Sequence, residues 1–92
     1  MKEKEIRRLE RVFKGVSNHW RIKILLLIKD NPGIILEGIV GNLKSNYQTT
    51  AEHVRRLNTA GLITKKYRGR AVEHNLSPYG IKILKIMKDF LD

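Results

Sequence analysis

The sequence predicts a small, mainly helical domain carrying one β-hairpin, and three observations support that expectation. Apolar residues recur at three- and four-residue spacing through most of the chain, the period of a helix with one buried stripe. The exception surrounds Gly69, where Leu62 to Arg68 and Ala71 to Leu76 flank a glycine turn in the manner of a hairpin. Compact stop signals separate the segments: Asn31-Pro32-Gly33, Lys44-Ser45-Asn46 and Ser77-Pro78, with no linker, repeat or low-complexity run. At 92 residues, 41% of them apolar, the chain has material for one core and no second folded unit.

In order, residues 3–15 place Ile6, Leu9, Val12, Phe13 and Val16 on one narrow stripe, and Gly15 is expected to end that helix. Ser17 or Asn18 is expected to cap a second helix over 19–30. Trp20, Ile22 and the run Ile24 to Ile28 leave it little polar face, which marks a helix in the middle of a domain. Gly33-Ile34-Ile35 reads as a short extended piece, followed by a helix at 36–43. Gly38 and Gly41 weaken that helix by roughly 1 kcal/mol each relative to alanine, so it depends on packing. Asn46 is expected to cap a stronger helix, 47–60, which Gly61 closes. The hairpin occupies 62–76, and Ser77-Pro78 opens a last helix, 78–91, as cap and first-turn residue.

Charge narrows the class of partner. The net charge is +10, and residues 44–70 hold seven bases (Lys44, Arg55, Arg56, Lys65, Lys66, Arg68, Arg70) against the single acid Glu52. Residues 1–14 mix six bases with three acids, so the excess is local. A local basic surface of this size points to a polyanion. The chain has no cysteine, which excludes disulfides, thiolate metal sites and cysteine nucleophiles and suits a reducing cytoplasm. No apolar run approaches a membrane span and the first ten residues carry no signal-peptide core, so a soluble cytoplasmic protein is expected.

A short helix, a three-residue turn and a longer helix form a helix-turn-helix, whose second helix lies in the major groove. Thr50, Val54 and Leu57 recur at four and seven residues and are expected to face inward. Tyr47, Gln48, Ala51, Glu52 and Arg55 then face outward as the candidate base-contacting set: Gln pairs bidentately with adenine, Arg with guanine, and Glu accepts from cytosine. Any amphipathic surface helix is polar outside. The hairpin that follows, with Lys65, Lys66, Arg68 and Arg70, adds what the helix alone lacks, since basic charge supplies position and affinity on phosphates. Lys44, Thr49 and Arg56 join that backbone-contacting set.

The chain at this point resembles a family. Phe13-Lys14-Gly15-Val16-Ser17-Asn18-His19-Trp20-Arg21-Ile22-Lys23-Ile24-Leu25 is similar to the opening of ArsR-type winged helix-turn-helix regulators, typically L-x-A-L-A-D-P-T-R-L-x-I-L. Residues 47–63 resemble their reading helix, typically Q-S-T-V-S-x-H-L-x-x-L-x-x-A-G-L-V, and Leu76-Ser77-Pro78-Tyr79-Gly80 resembles the L-T-x-x-G of MarR- and PadR-type proteins. The resemblance spans almost the whole chain and implies DNA binding, transcription regulation and dimers built on the first and last helices. The family's metal-sensing cysteines are absent, Ala51 stands where a serine is usual, and Glu52 puts an acid on the reading face.

The residues support the dimer independently. The apolar face of the last helix is wider than one small domain needs, and Ile6, Leu9, Phe13, Ile83, Met87, Phe90 and Leu91 are the candidate interface. No catalytic constellation, metal or cofactor is expected. His19, His53 and His74 fall in three different elements, Ser17 and Ser77 read as caps, and no Gly-Lys-Ser/Thr completes a phosphate loop. The expected function is a sequence-specific DNA-binding regulator, a repressor acting as a homodimer on double-stranded DNA. Its rivals are an architectural DNA-binding protein and a winged helix turned to an acidic protein partner. A separate effector domain is not expected within these 92 residues, so any signal is expected either to act at the dimer interface or to be absent, and the small-molecule effector is left open.

Overall fold

The computed structural model describes residues 1–92. Its elements run α1 (Glu3–Val16), α2 (His19–Asp30), α3 (Leu36–Leu43), α4 (Tyr47–Thr59), β1 (Ile63–Arg68), β2 (Ala71–Leu76) and α5 (Pro78–Leu91). The mainly helical architecture with one hairpin is as the sequence predicts. Caps set most of the boundaries. The Asn18 side chain accepts from the backbone N–H groups of Trp20 and Arg21, and the Asn46 side chain accepts from that of Thr49. At the far end of α4, Gly61 takes φ 77° and donates to Asn58, while Leu62 donates to Leu57. This is the double closure that a left-handed glycine permits.

α2 lies at the centre. Its Ile24, Leu25 and Ile28 are buried with Ile39 of α3, Val54 and Leu57 of α4, Leu62, Ile63 of β1, and Ile83 and Leu84 of α5. Each such side chain contributes roughly 1.5–3 kcal/mol by leaving water, so one shared core fixes every element relative to α2. The antiparallel pair β1–β2 runs in register from Ile63 opposite Leu76 to Arg68 opposite Ala71. The extended piece expected at 33–35 adds one bridge, with Ile34 opposite His74. His74 is buried there, its Nδ1 donating to the Ile34 carbonyl at 2.9 Å. No helix is long and apolar enough to cross a membrane.

Two expectations need correction. Gly15 does not end α1, which continues through Val16. A Cβ at Gly15 would lie 2.5 Å from the Ala60 Cβ, so the glycine serves the close approach of α1 to the end of α4. Ile83 is not a surface residue: it is 4% exposed in the domain's own core and has no area left for a dimer contact. A helical wheel shows that a position is apolar but cannot separate the inward face of α5 from its flanks.

Candidate nucleic-acid interface

The turn between α3 and α4 is locked by short polar links. Lys44 adopts the left-handed conformation, φ 50° and ψ 45°. The Thr50 hydroxyl donates to the Asn46 carbonyl and receives the Ser45 hydroxyl, both at 2.7 Å. Thr50 is buried, and with Val54 and Leu57 it seats the inward face of α4 on the core. That seating turns Gln48, Arg55 and Thr59 to solvent, with Glu52 and Ala51 half-buried between them.

Charge on the outward face is already organised. Glu52 accepts from Arg55 through both carboxylate oxygens, at 2.9 and 2.5 Å, and from Arg56 at 3.2 Å. The hydrogen bond from Arg55 holds the Glu52 carboxyl at about 2, assisted by the positive charges of Arg55 and Arg56 and opposed by partial desolvation. Arg55 is raised in turn, chiefly by its hydrogen bond to Glu52. The sequence shows all three residues but not this clamp, although their three- and four-residue spacing is the signal for it.

The hairpin divides the expected wing residues between two faces, because side chains alternate along a strand. Lys65, Tyr67 and Arg70 line a cleft of about 310 Å³ against α3 and α4, together with Tyr47, Ala51 and Val54. Lys66 and Arg68 take the opposite face, where Arg68 pairs with Glu73 at 3.1 Å. Lys65, Lys66 and Arg70 have no carboxylate partner. The loop tip is Gly69-Arg70, with Gly69 at φ 58°, the glycine-first form of a two-residue hairpin turn. Lys44 and Thr49 lie on the other flank of α4, around a hollow that also holds Trp20, Asn46 and His53.

Arg21 is a structural residue that the sequence does not single out. Buried under the α1–α2 corner, its Nε donates to the Gly15 carbonyl at 2.7 Å and its Nη2 to the Lys14 carbonyl at 3.2 Å. Its Nη1 reaches His53 Nδ1 at 3.2 Å. A guanidinium only donates, so this ring nitrogen accepts and His53 is neutral with its proton on Nε2. Burial pushes the His53 pKa down, and the charges of Arg21 and Arg56 push it further. Burial and Arg56 likewise lower that of Arg21.

Most of the expected interface residues on α1 and on α5 are apolar side chains left exposed. Ile6, Leu9 and Phe13 on α1 are about half exposed, and Phe90 and Leu91 on α5 are 82% and 88% exposed. Met87 is half-buried against the core.

No protein-family model matches the chain, and no curated protein matches it by sequence. Solved structures do. HlyU from Vibrio cholerae superposes with a TM-score of 0.81 at 21% identity, covering 98% of this chain and 97% of its own. The homodimeric winged helix-turn-helix DNA-binding domain of Mb0332 from Mycobacterium bovis, a possible ArsR-family transcriptional regulator, gives 0.81 at 20% identity over 94% of this chain and 79% of its own. The transcriptional repressor PagR of Bacillus anthracis gives 0.83 at 15% identity over 94% and 99%. At these identities the likeness speaks to architecture, and there it is nearly complete: this chain has the winged helix-turn-helix fold.

Proposed function

We propose that this protein is a sequence-specific DNA-binding transcription regulator of ArsR type, acting in the cytoplasm as a homodimeric repressor. The observation that carries the reading is the shared face of α4 and the hairpin. Exposed Gln48 and Arg55 lie on α4, and a cleft beside them is edged by the unpaired cations Lys65 and Arg70. A duplex needs both parts: hydrogen-bonding side chains for base edges and free positive charge for phosphates.

Gln48, one residue into α4, is the base reader, since reading helices present their amino-terminal half to the groove. Tyr47 and Ala51 flank it on the cleft side. Arg55 contacts a guanine or a phosphate, and does so only by sharing or leaving Glu52. The wing contributes through Lys65 and Arg70 on the α4 side and Lys66 and Arg68 on the other, with Lys44, Thr49 and Arg56 on backbone phosphates beyond. Ile6, Leu9, Phe13, Met87, Phe90 and Leu91 join two copies. Mb0332 and PagR, a homodimeric DNA-binding domain and a repressor, support the reading by fold.

The test is sedimentation and duplex binding of the wild type beside Phe90→Asp. The expected result is a wild-type dimer that binds duplex DNA and a monomeric variant that binds it far more weakly, because the interface would bury an unpaired charge. A wild type that stays monomeric at high concentration and ignores DNA would overturn the proposal.

A further inference from the structure

The first helix carries a second face, on the flank away from Ile6, Leu9 and Phe13. Lys4, Arg7, Arg11 and Lys14 recur at three- and four-residue spacing and are all exposed. From Lys4 to Lys14 this ridge runs about 15 Å, at roughly 1.5 Å of rise per residue. Its carboxyl-terminal end does not stop at the helix. The close packing of Gly15 on Ala60 brings α1 against the end of α4, and there Arg11, Lys14, Arg55, Arg56 and Thr59 surround one open hollow of about 220 Å³.

The charges around this hollow are only partly compensated. Lys14 pairs with Glu10 at 3.7 Å, Arg7 pairs with Glu3 at 3.3 Å, and Glu52 is shared between Arg55 and Arg56. Arg11 has no carboxylate partner, and the buried Arg21 lies under the same corner, bonded to the carbonyls of Lys14 and Gly15. Exposed pairs four apart on a helix are worth only about 0.3–0.5 kcal/mol and weaken in salt, so a phosphate can take their place. Thr59 and Arg55 belong to the outward face of α4, which makes the hollow continuous with the reading surface.

We infer that α1 is a third DNA-contacting element, holding a stretch of duplex backbone along Arg7, Arg11 and Lys14 beyond the footprint of α4 and the wing. This rests on the DNA-binding reading and extends it. The first helix would then divide its work, its apolar flank joining two copies and its basic flank lying along phosphates.

Duplex binding measured by fluorescence anisotropy across a potassium chloride series tests this. The variants are Arg7→Gln/Arg11→Gln/Lys14→Gln and, as a control of equal charge change, Lys82→Gln/Lys85→Gln/Lys88→Gln on α5. Circular dichroism and sedimentation of each check fold and assembly, and the single Arg11→Gln serves if the triple variant is compromised. The expected result is a shallower slope of log affinity against log salt in the α1 variant, by about 0.9 per lost phosphate contact per protomer. The ranking of DNA sequences should stay unchanged, and the α5 control should keep the wild-type slope. The loss should shrink on duplexes trimmed to the length that α4 and the wing cover. An α1 variant with the wild-type slope, or a control that falls equally, would overturn the inference while leaving the DNA-binding reading standing. A wild type that binds no duplex would overturn both.

Discussion

The junction where α4, β1 and α5 meet and the outward surface of α4 and the wing are built on opposite terms. At the junction the buried side-chain polar groups are all paired. The Ser77 hydroxyl donates to the Gly61 carbonyl at 2.6 Å and accepts from the Gly80 N–H at 3.0 Å, while the Ser77 N–H donates to the Leu62 carbonyl. Leu62 is wholly buried. On the outward surface the Gln48 side chain makes no hydrogen bond within the chain, and Lys65 and Arg70 have no carboxylate partner. Such groups add little to folding and remain free for another molecule. One region fixes where α4 and the wing stand, and the other leaves their side chains available. Substitutions in the two regions should therefore separate cleanly into losses of stability and losses of DNA binding.

The largest effect is expected at Gly80. A Cβ there would lie 2.1 Å from the Leu62 carbonyl oxygen, a backbone atom that cannot move without unpicking the junction. Gly80→Ala should cost about 3 kcal/mol in denaturant unfolding, at the upper end for overpacking. If it leaves stability untouched, the junction is not rigid and the contrast fails.

Gln48→Ala should leave unfolding unchanged and remove about 1–3 kcal/mol of discrimination at one base pair per half-site, with non-specific affinity kept. Competition against a panel of single-base operator changes reads this directly. Next in size, Lys65→Gln/Arg70→Gln should weaken all duplexes alike and flatten the salt dependence by about 0.9 per lost contact. A change in sequence ranking instead would give the wing a reading role.

The smallest effects are on stability. A Cβ at Gly41 meets nothing within 4 Å. Gly41→Ala should therefore stabilise the protein by up to about 1 kcal/mol through helix propensity alone. His53 gives stability a pH dependence. Its folded-state pKa lies below the ordinary 6.5, so the unfolded chain takes up its proton first as the pH falls. Its contribution is complete above 6.5 and is lost on acidification towards the lowered folded value, where a proton would set a third cation beside Arg21 and Arg56. His53→Gln should flatten the stability profile between pH 7 and pH 5 (about two units below neutrality, spanning the reference value).

What the sequence makes legible follows the same division. Caps at Asn18, Asn46 and Ser77 and the glycine after α4 are local signals, so the element boundaries stand within a residue or two of their expected places. The inward face of α4 is legible because Thr50, Val54 and Leu57 obey the helix period. What the sequence hides is long-range. Gly15 reads as a helix stop until Ala60 is placed against it, and Ile83 reads as interface until the core is assembled. Lys65 and Lys66 read as one basic patch until the strand sends them to opposite faces. Arg21 is not singled out by the sequence, because its carbonyl partners appear only when the end of α1 is placed above it.

Selection of bound duplexes from a random pool tests the central claim most directly, because it asks whether the free side chains of α4 read sequence in two copies at once. The expected result is an enriched inverted repeat whose half-site centres lie about one helical turn, or a multiple of it, apart, with the preference at one half-site position lost in Gln48→Ala. Tight, salt-sensitive binding without any enriched sequence would contradict it and leave an architectural DNA-binding protein in its place.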